Sequence, residues 1–153
     1  MSGARVTIRP VEARDEARWR VLWDGYCEFY ERAPNPPVAD YTWARIMDPA
    51  APVHAIVAER DGEGVIGIAN YLTHESTSST KLMCYLQDLY VDPEARGGGV
   101  GRMLIDWLVE ETNRQGWARL YWATRENNYR ARALYDTYTP HSGFLRYVLP
   151  ARA

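Results

Sequence analysis

Hydrophobic and polar positions along the chain fall into short blocks with two different periods. VTIRPV (6–11) alternates and is rich in β-branched residues, which predicts a strand. Asp15 then stands before a segment in which Trp19, Leu22, Trp23, Tyr26 and Phe29 or Tyr30 recur at helical spacing, so a helix capped by Asp15 is expected. ERAPNPP (31–37) cannot continue that helix, because Pro34, Pro36 and Pro37 lack the backbone donor; a shorter helix is expected around 40–47. VHAIVAE (53–59) and VIGIANYL (65–72) flank DGEG (61–64) and predict a hairpin. THESTSST (73–80) reads as a polar loop and KLMCYLQDLYV (81–91) as a long strand. Val100, Leu104, Trp107, Leu108 and Glu111 then line one side of a helix that Gly116 stops. ARLYWAT (118–124) predicts a strand, NNYRARALYDTY (127–138) a helix with Ala131, Leu134, Tyr135 and Tyr138 on one side, and FLRYVL (144–149) a last strand. This order implies an α/β fold, a mixed sheet with helices on both faces, in which the central strand, helix and strand form a parallel crossover.

Length and composition narrow the setting. A chain of 153 residues, 46% hydrophobic, is enough for one domain with a substantial core, so a single domain over 1–153 is expected. Its 18 basic and 20 acidic residues are mixed along the chain, and the net charge of −2 provides no footprint for nucleic acid or an anionic membrane. Cys27 and Cys84 fit neither a disulfide framework nor a zinc pattern. The start, MSGARVTIRP, lacks the apolar core of a signal peptide, and no apolar run approaches the ~18 residues of a membrane span. A cytoplasmic protein is expected.

The chemistry concentrates in DPEARGGGVGR (92–102), which lies between the long strand and the helix that follows. Glycines there allow backbone N–H groups to converge on an anion at a helix N-terminus. The Walker loop needs Lys and then Ser or Thr after its last glycine, whereas here Arg102 and Met103 follow Gly101. The dinucleotide loop G-x-G-x-x-G, begun at Gly97, ends on Arg102 and also fails. What remains is R-x-x-G-x-G, running from Arg96 through Gly97, Gly98, Gly99 and Val100 to Gly101. A second motif, N-x-x-A-x-x-L-Y, runs from Asn128 to Tyr135 and is followed by Gly143-Phe144.

Together these motifs resemble the GNAT superfamily of N-acetyltransferases, and CYLQDLYVDPEARGGGVG (84–101) is similar to its diamine and histone/polyamine branches. The resemblance implies a six- to seven-stranded sheet and acetyl transfer from acetyl-CoA to a primary amine by direct attack, without a metal. The acceptor is expected to be a small amine or polyamine, with an amino acid or protein lysine as alternatives, and the assembly a homodimer. A non-catalytic acyl-CoA-binding module of the same fold is the competing reading. The segment DTYTPHS (136–142) is longer than is usual in the family, which puts the placement of the last helix end and strand in question.

The resemblance also implies roles for residues. Backbone N–H groups from Gly97 to Arg102 would hold the coenzyme pyrophosphate, with Arg96 leading the loop. Leu89, Tyr90 and Val91 would pair with the pantetheine arm, an N–H near Leu89 or Tyr90 stabilising the oxyanion. Asn128 would bond the cofactor arm, and Tyr135 would protonate the departing thiolate. Related diamine enzymes read L-E-D where this chain has Leu86-Gln87-Asp88; Gln87 cannot be a base, although it could orient a water. Asp88 is then a base candidate, but strand alternation would turn it to the opposite face from Gln87. Glu28, Glu31 and His74 are the other base candidates, and Glu28, Phe29 and Tyr30 are expected at the acceptor pocket, where aromatic faces and carboxylates suit an ammonium group. Without the motif, the periodicity of Tyr135 favours a core tyrosine with a satisfied hydroxyl.

Overall fold

The computed structural model describes residues 3–153, which form two compact units divided in sequence between Ala123 and Thr124. In chain order the first unit contains β1 (Val6–Pro10), α1 (Glu16–Phe29), α2 (Pro36–Met47), β2 (Val53–Arg60), β3 (Gly64–Ser76), β4 (Ser79–Val91), α3 (Val100–Gln115) and β5 (Arg119–Tyr121). The strands form one sheet in the order β1-β2-β3-β4-β5; the first four are antiparallel neighbours and β5 runs parallel to β4. The sheet is therefore mixed, and α3 makes the crossover between its parallel pair.

Helices cover both faces of the sheet. Trp19, Leu22 and Trp43 from α1 and α2 form a buried cluster with Val57, Val65 and Ile68. On the neighbouring residue Gly67, an added Cβ would lie 3.3 Å from Val100 and 3.4 Å from Leu104 of α3. Adjacent strand residues project to opposite faces, so α1 and α3 lie on opposite sides. Burying each large apolar side chain in these layers contributes roughly 1.5–3 kcal/mol relative to exposure.

The helix starts differ from one another. Asn35 caps α2 by accepting from the Val38 N–H at 3.3 Å, and proline occupies its first turn, where a backbone donor is dispensable. Asp15 occupies the capping position of α1 but makes no side-chain cap there. Its carboxylate instead accepts from both terminal nitrogens of Arg9 at 2.8 and 2.9 Å and from the Glu12 N–H at 2.8 Å. The expected cap at Asp15 is thus an ion pair clamping β1 to the start of α1.

Three expectations are revised. The sheet has five strands among the described residues rather than six to seven. THESTSST is not a loop: β3 extends to Ser76 and β4 starts at Ser79, because the alternating Ser and Thr residues continue the ladder up to a tight turn. FLRYVL forms no strand; Phe144 is 91% and Leu149 95% exposed, for strand periodicity does not itself supply the neighbouring donors and acceptors that a strand needs.

The second unit contains α4 (Tyr129–Tyr135), shorter than the expected 127–138. Asn128 caps it, its Oδ1 accepting from the Ala131 N–H at 3.4 Å while its Nδ2 donates to Thr124 Oγ1 at 3.1 Å. Ala131, Leu134, Tyr135 and Tyr138 are half-buried, on the side expected from their spacing.

Candidate active site

The site begins where β5 leaves β4. Their pairing runs from Met83↔Arg119 through Cys84↔Leu120 and ends at Tyr85↔Tyr121, whereas β4 continues from Leu86 to Val91. β5 therefore leaves the far edge of Leu86–Val91 unpaired, and a ligand with amide groups can bond that edge as another strand would.

At the end of β4, Asp92 starts a 3-10 turn over Pro93–Ala95 and accepts from the Glu94 N–H at 3.0 Å. Arg96 folds back, its Nε donating to the Val91 carbonyl at 3.1 Å and its guanidinium lying 5.3 Å from the centre of the Tyr90 ring. Gly97 and Gly99 follow with φ of 89° and 76°, a region that costs other residues about 1 kcal/mol or more. A Cβ added at either would meet nothing within 4 Å, so the space beside the loop is open. Gly99 stands at the start of α3 and no side chain caps it, in contrast to Asn35 at α2. The first-turn N–H groups of α3 are thereby left for a ligand, with the positive end of the helix dipole behind them. Val100, almost fully buried, anchors the turn, while Gly101 is half-buried and Arg102 exposed.

A register shift lies in the middle of β4. Asn70 pairs with Asp88 but Tyr71 pairs with Leu86, so Gln87 is an extra, exposed residue in a β-bulge. Tyr85 pairs with Leu72, and Leu72 lies two residues from Asn70, so Tyr85 and Asp88 share the α1 face although three positions apart. Simple alternation would separate them; the bulge restores Asp88 to the face carrying Tyr85.

Asp88 is 6% exposed and sits in a buried polar network. Asn70 Nδ2 donates to its Oδ2 at 3.1 Å, Trp19 Nε1 donates to Asn70 Oδ1 at 3.0 Å, and the Tyr26 hydroxyl hydrogen-bonds the carboxylate. Burial pushes the Asp88 carboxyl above the ordinary range, although Asn70 and Tyr26 pull it back. Burial, then the negative charge of Asp88, raises Tyr26, so its phenol remains a donor. Tyr26, Asn70 and Trp19 were not distinguishable as site residues by periodicity, since each reads as core.

Tyr26 belongs to a row of rings along α1: Trp19 stacks on Trp23 at 5.6 Å, Trp23 on Tyr26 at 5.5 Å, and Tyr30 meets Tyr26 at 4.8 Å and Phe29 at 5.1 Å. The row runs from the core to the helix end, where Glu28 and Phe29 are exposed and Tyr30 half-buried. Arg32 lies 5.7 and 5.8 Å from the Tyr26 and Tyr30 ring centres. Glu31, with φ of 55°, ends the helix.

The other end of the unpaired edge carries a second polar cluster. His74 Nε2 lies 2.6 Å from the Tyr121 hydroxyl, His74 Nδ1 lies 2.7 Å from the Glu75 carbonyl, and Tyr85 stacks on Tyr121 at 4.8 Å. His74 lies four residues from Asn70 on β3 and so shares its face. His74 stands out from the sequence, whereas Tyr85 and Tyr121 do not, because their approach depends on the parallel register. Asn128 and Tyr135 lie in the second unit, Asn128 as the cap of α4 and Tyr135 half-buried at that helix's end. Among the described residues no group of three or more His, Cys, Asp or Glu side chains could hold a metal ion.

A ribosomal-protein-alanine N-acetyltransferase from Brucella melitensis biovar Abortus 2308 superposes with a TM-score of 0.81 at 21% identity, covering 96% of this chain and 100% of that one. The chain belongs to the acetyltransferase (GNAT) family, whose sequence profile matches residues 18–138, and it is an acetyltransferase. It is 35% identical over 136 residues to the D-amino-acid N-acetyltransferase HPA3 of Saccharomyces cerevisiae, a match covering 88% of this chain and 84% of that protein. It is also 35% identical over 89 residues to a thialysine N-epsilon-acetyltransferase of Bos taurus, covering 54% of this chain and 52% of the relative.

Proposed function

We propose that this acetyltransferase moves an acetyl group from acetyl-CoA to the primary amine of a small acceptor, a polyamine or an amino acid, by direct attack in a ternary complex. One observation carries the donor side: β4 loses its β5 partner at Tyr85 and leads, through a glycine loop, into a helix start that no side chain caps. An extended amide-bearing arm fits along Leu89, Tyr90 and Val91, and a pyrophosphate fits against the N–H groups from Gly97 to Arg102. Arg96 ties the strand end to that loop and keeps the two parts of the cradle in register. The bulge at Gln87 turns the backbone beside Leu89, where an N–H can meet charge developing on the thioester oxygen.

The acceptor side rests on the end of α1, where Glu28, Phe29 and Tyr30 present a carboxylate beside aromatic faces. Asp88, enclosed by Asn70 and Tyr26, acts here as the internal post connecting that helix end to the bulge. Asn128 is assigned to the cofactor arm and Tyr135 to protonation of the leaving thiolate, both on the strength of the N-x-x-A-x-x-L-Y motif. The small amino-acid acceptors named for the relatives favour an amino acid at least as much as a polyamine.

The test is thiol release from acetyl-CoA against spermidine, putrescine, D- and L-amino acids and a lysine peptide, with acetyl-CoA affinity measured by calorimetry. Turnover is expected on one of the small-amine classes. Gly99→Asp places a carboxylate and a strained φ at the start of α3 and should weaken acetyl-CoA binding by ~10-fold or more. Unchanged affinity in that variant would overturn the cradle assignment.

A further inference from the structure

The geometry points to Tyr121, backed by His74, as the group that takes the proton from the acceptor ammonium. This assignment rests on the acetyl-transfer reading above and adds the base that the reading lacks.

Four observations converge. Gln87 has no basic group, and Asp88 is bonded by Asn70 and Tyr26, with Trp19 behind Asn70, so the carboxylate nearest the bulge already has its partners. Tyr121, in contrast, is half-buried at the residue where β4 and β5 part, on the face that carries Asn70 and Asp88. His74 is held at both ring nitrogens. A neutral imidazole with its proton on Nδ1 donates to the Glu75 carbonyl at 2.7 Å, leaving Nε2 to accept from the Tyr121 hydroxyl at 2.6 Å. With its proton directed to His74, the Tyr121 oxygen keeps its lone pairs for an incoming ammonium.

The step then balances. An acceptor N–H proton passes to the Tyr121 oxygen as the Tyr121 O–H proton passes to His74 Nε2. The products are a neutral amine, a neutral tyrosine and an imidazolium whose Nδ1–H still bonds Glu75. The imidazolium returns its proton to solvent, since His74 is exposed. The neutral amine is now a nucleophile for the thioester carbon; its second proton leaves with the thiol when the C–S bond breaks. Tyr121 never needs to become a stable phenolate, which matters because burial, followed by the neighbouring Tyr85, raises its pKa.

Charged and titratable groups flank the pair, the Glu75 carboxyl next to His74 among them. Tyr85 stacks on Tyr121 from β4, the Arg119 guanidinium lies 5.5 Å from the Tyr121 ring centre, and the Cys84 thiol lies nearby. Burial raises the Cys84 thiol, which stays protonated at neutral pH and adds no charge. Arg119 lowers the Tyr121 pKa, easing partial charge on its oxygen during the transfer.

The test uses Tyr121→Phe, which keeps the ring stacked on Tyr85 and removes only the hydroxyl, and His74→Gln. Both are assayed from about pH 5.5 to 9 with two acceptors of the accepted class, one an ordinary alkylamine and one of low basicity that is already neutral at assay pH. Acetyl-CoA affinity and thermal melting serve as controls. With the alkylamine, both variants should lose ~10²-fold in kcat/KM near neutrality, and the acid limb of the profile should move up by about 1 pH unit or more. With the weakly basic amine the loss should shrink to within ~3-fold, because no proton need be removed before attack. A purely structural defect would slow both acceptors alike and would overturn the assignment, as would unchanged rates and profiles in both variants. If the wild-type protein acetylates neither amine, the acetyl-transfer reading itself fails, and this outcome is distinct from a wild-type enzyme indifferent to Tyr121 and His74.

Discussion

The two ends of α1 each rest on a buried aspartate, and the two are treated in opposite ways. Asp15, 4% exposed at the helix start, is gripped by both terminal nitrogens of Arg9. Asp88, 6% exposed and bonded by Tyr26 near the helix end, takes its hydrogen bonds from the neutral side chains of Asn70 and Tyr26. Hydrogen bonds from Arg9 hold the Asp15 carboxyl below its ordinary range, outweighing burial, whereas burial drives the Asp88 carboxyl above it. The first arrangement suits a joint whose only task is to hold. The second leaves a carboxylate without a full counter-charge beside the bulge, at a cost in stability that a purely structural position would not need to bear.

The largest expected effect comes from breaking the first joint. Arg9→Ala strands the buried Asp15 carboxylate and should lower stability by about 3 kcal/mol in urea unfolding, while turnover per folded molecule stays as in the wild type. A loss below about 1 kcal/mol would mean that water reaches Asp15 and that the contrast between the two aspartates is weaker than the geometry indicates.

Asp88→Asn sharpens the comparison in a different quantity. It should lower kcat ~10-fold with little change in acetyl-CoA affinity, since the post under the bulge is altered but the glycine loop is untouched. The pH dependence of stability supplies the sign. The stability that Asp15 lends is present above the unfolded carboxylate pKa of about 3.9 and is lost as pH falls through its depressed folded value. The contribution of Asp88 is fully present below about 3.9 and is lost as pH rises through its raised folded value. The stability of wild type relative to Asp88→Asn should therefore decline between pH 4 and neutrality; melts at a series of pH values that run parallel for the two proteins would place Asp88 outside the buried network. Smallest is Tyr26→Phe, which removes one donor to Asp88 and should cost about 1 kcal/mol in urea unfolding while steepening that same decline. No change in either quantity would show that Asn70 alone satisfies the carboxylate.

Much of the site was legible one element at a time. The glycine loop announced itself because Gly97 and Gly99 adopt a φ that other residues avoid, a demand written into residue type. Glu28, Phe29 and Tyr30, proposed above for the acceptor pocket, stood out at the end of a helix whose period buries Trp19 and Tyr26. The bulge could not be read, because an extra residue in a strand changes register without changing composition; simple alternation would put Tyr85 and Asp88 on opposite faces, and the bulge puts them on one. Tyr121 and His74 were not legible as a pair, since 47 residues separate them and only the β3-β4-β5 order brings them together.

The sequence by itself determined where most strands and helices of the first unit form, which helix start would be left uncapped, and which family the chain resembles. These properties depend on local period, on φ preferences and on short motifs, all carried by neighbouring residues. Tertiary structure decided the number of strands, the extension of 73–80 into a hairpin, the exposure of FLRYVL, the burial of Asp88 against Tyr26 and Asn70, and the meeting of Tyr121 with His74. Each of these depends on which distant backbone supplies the opposite half of a hydrogen bond, and residues far apart in the chain settle that only once they are packed together.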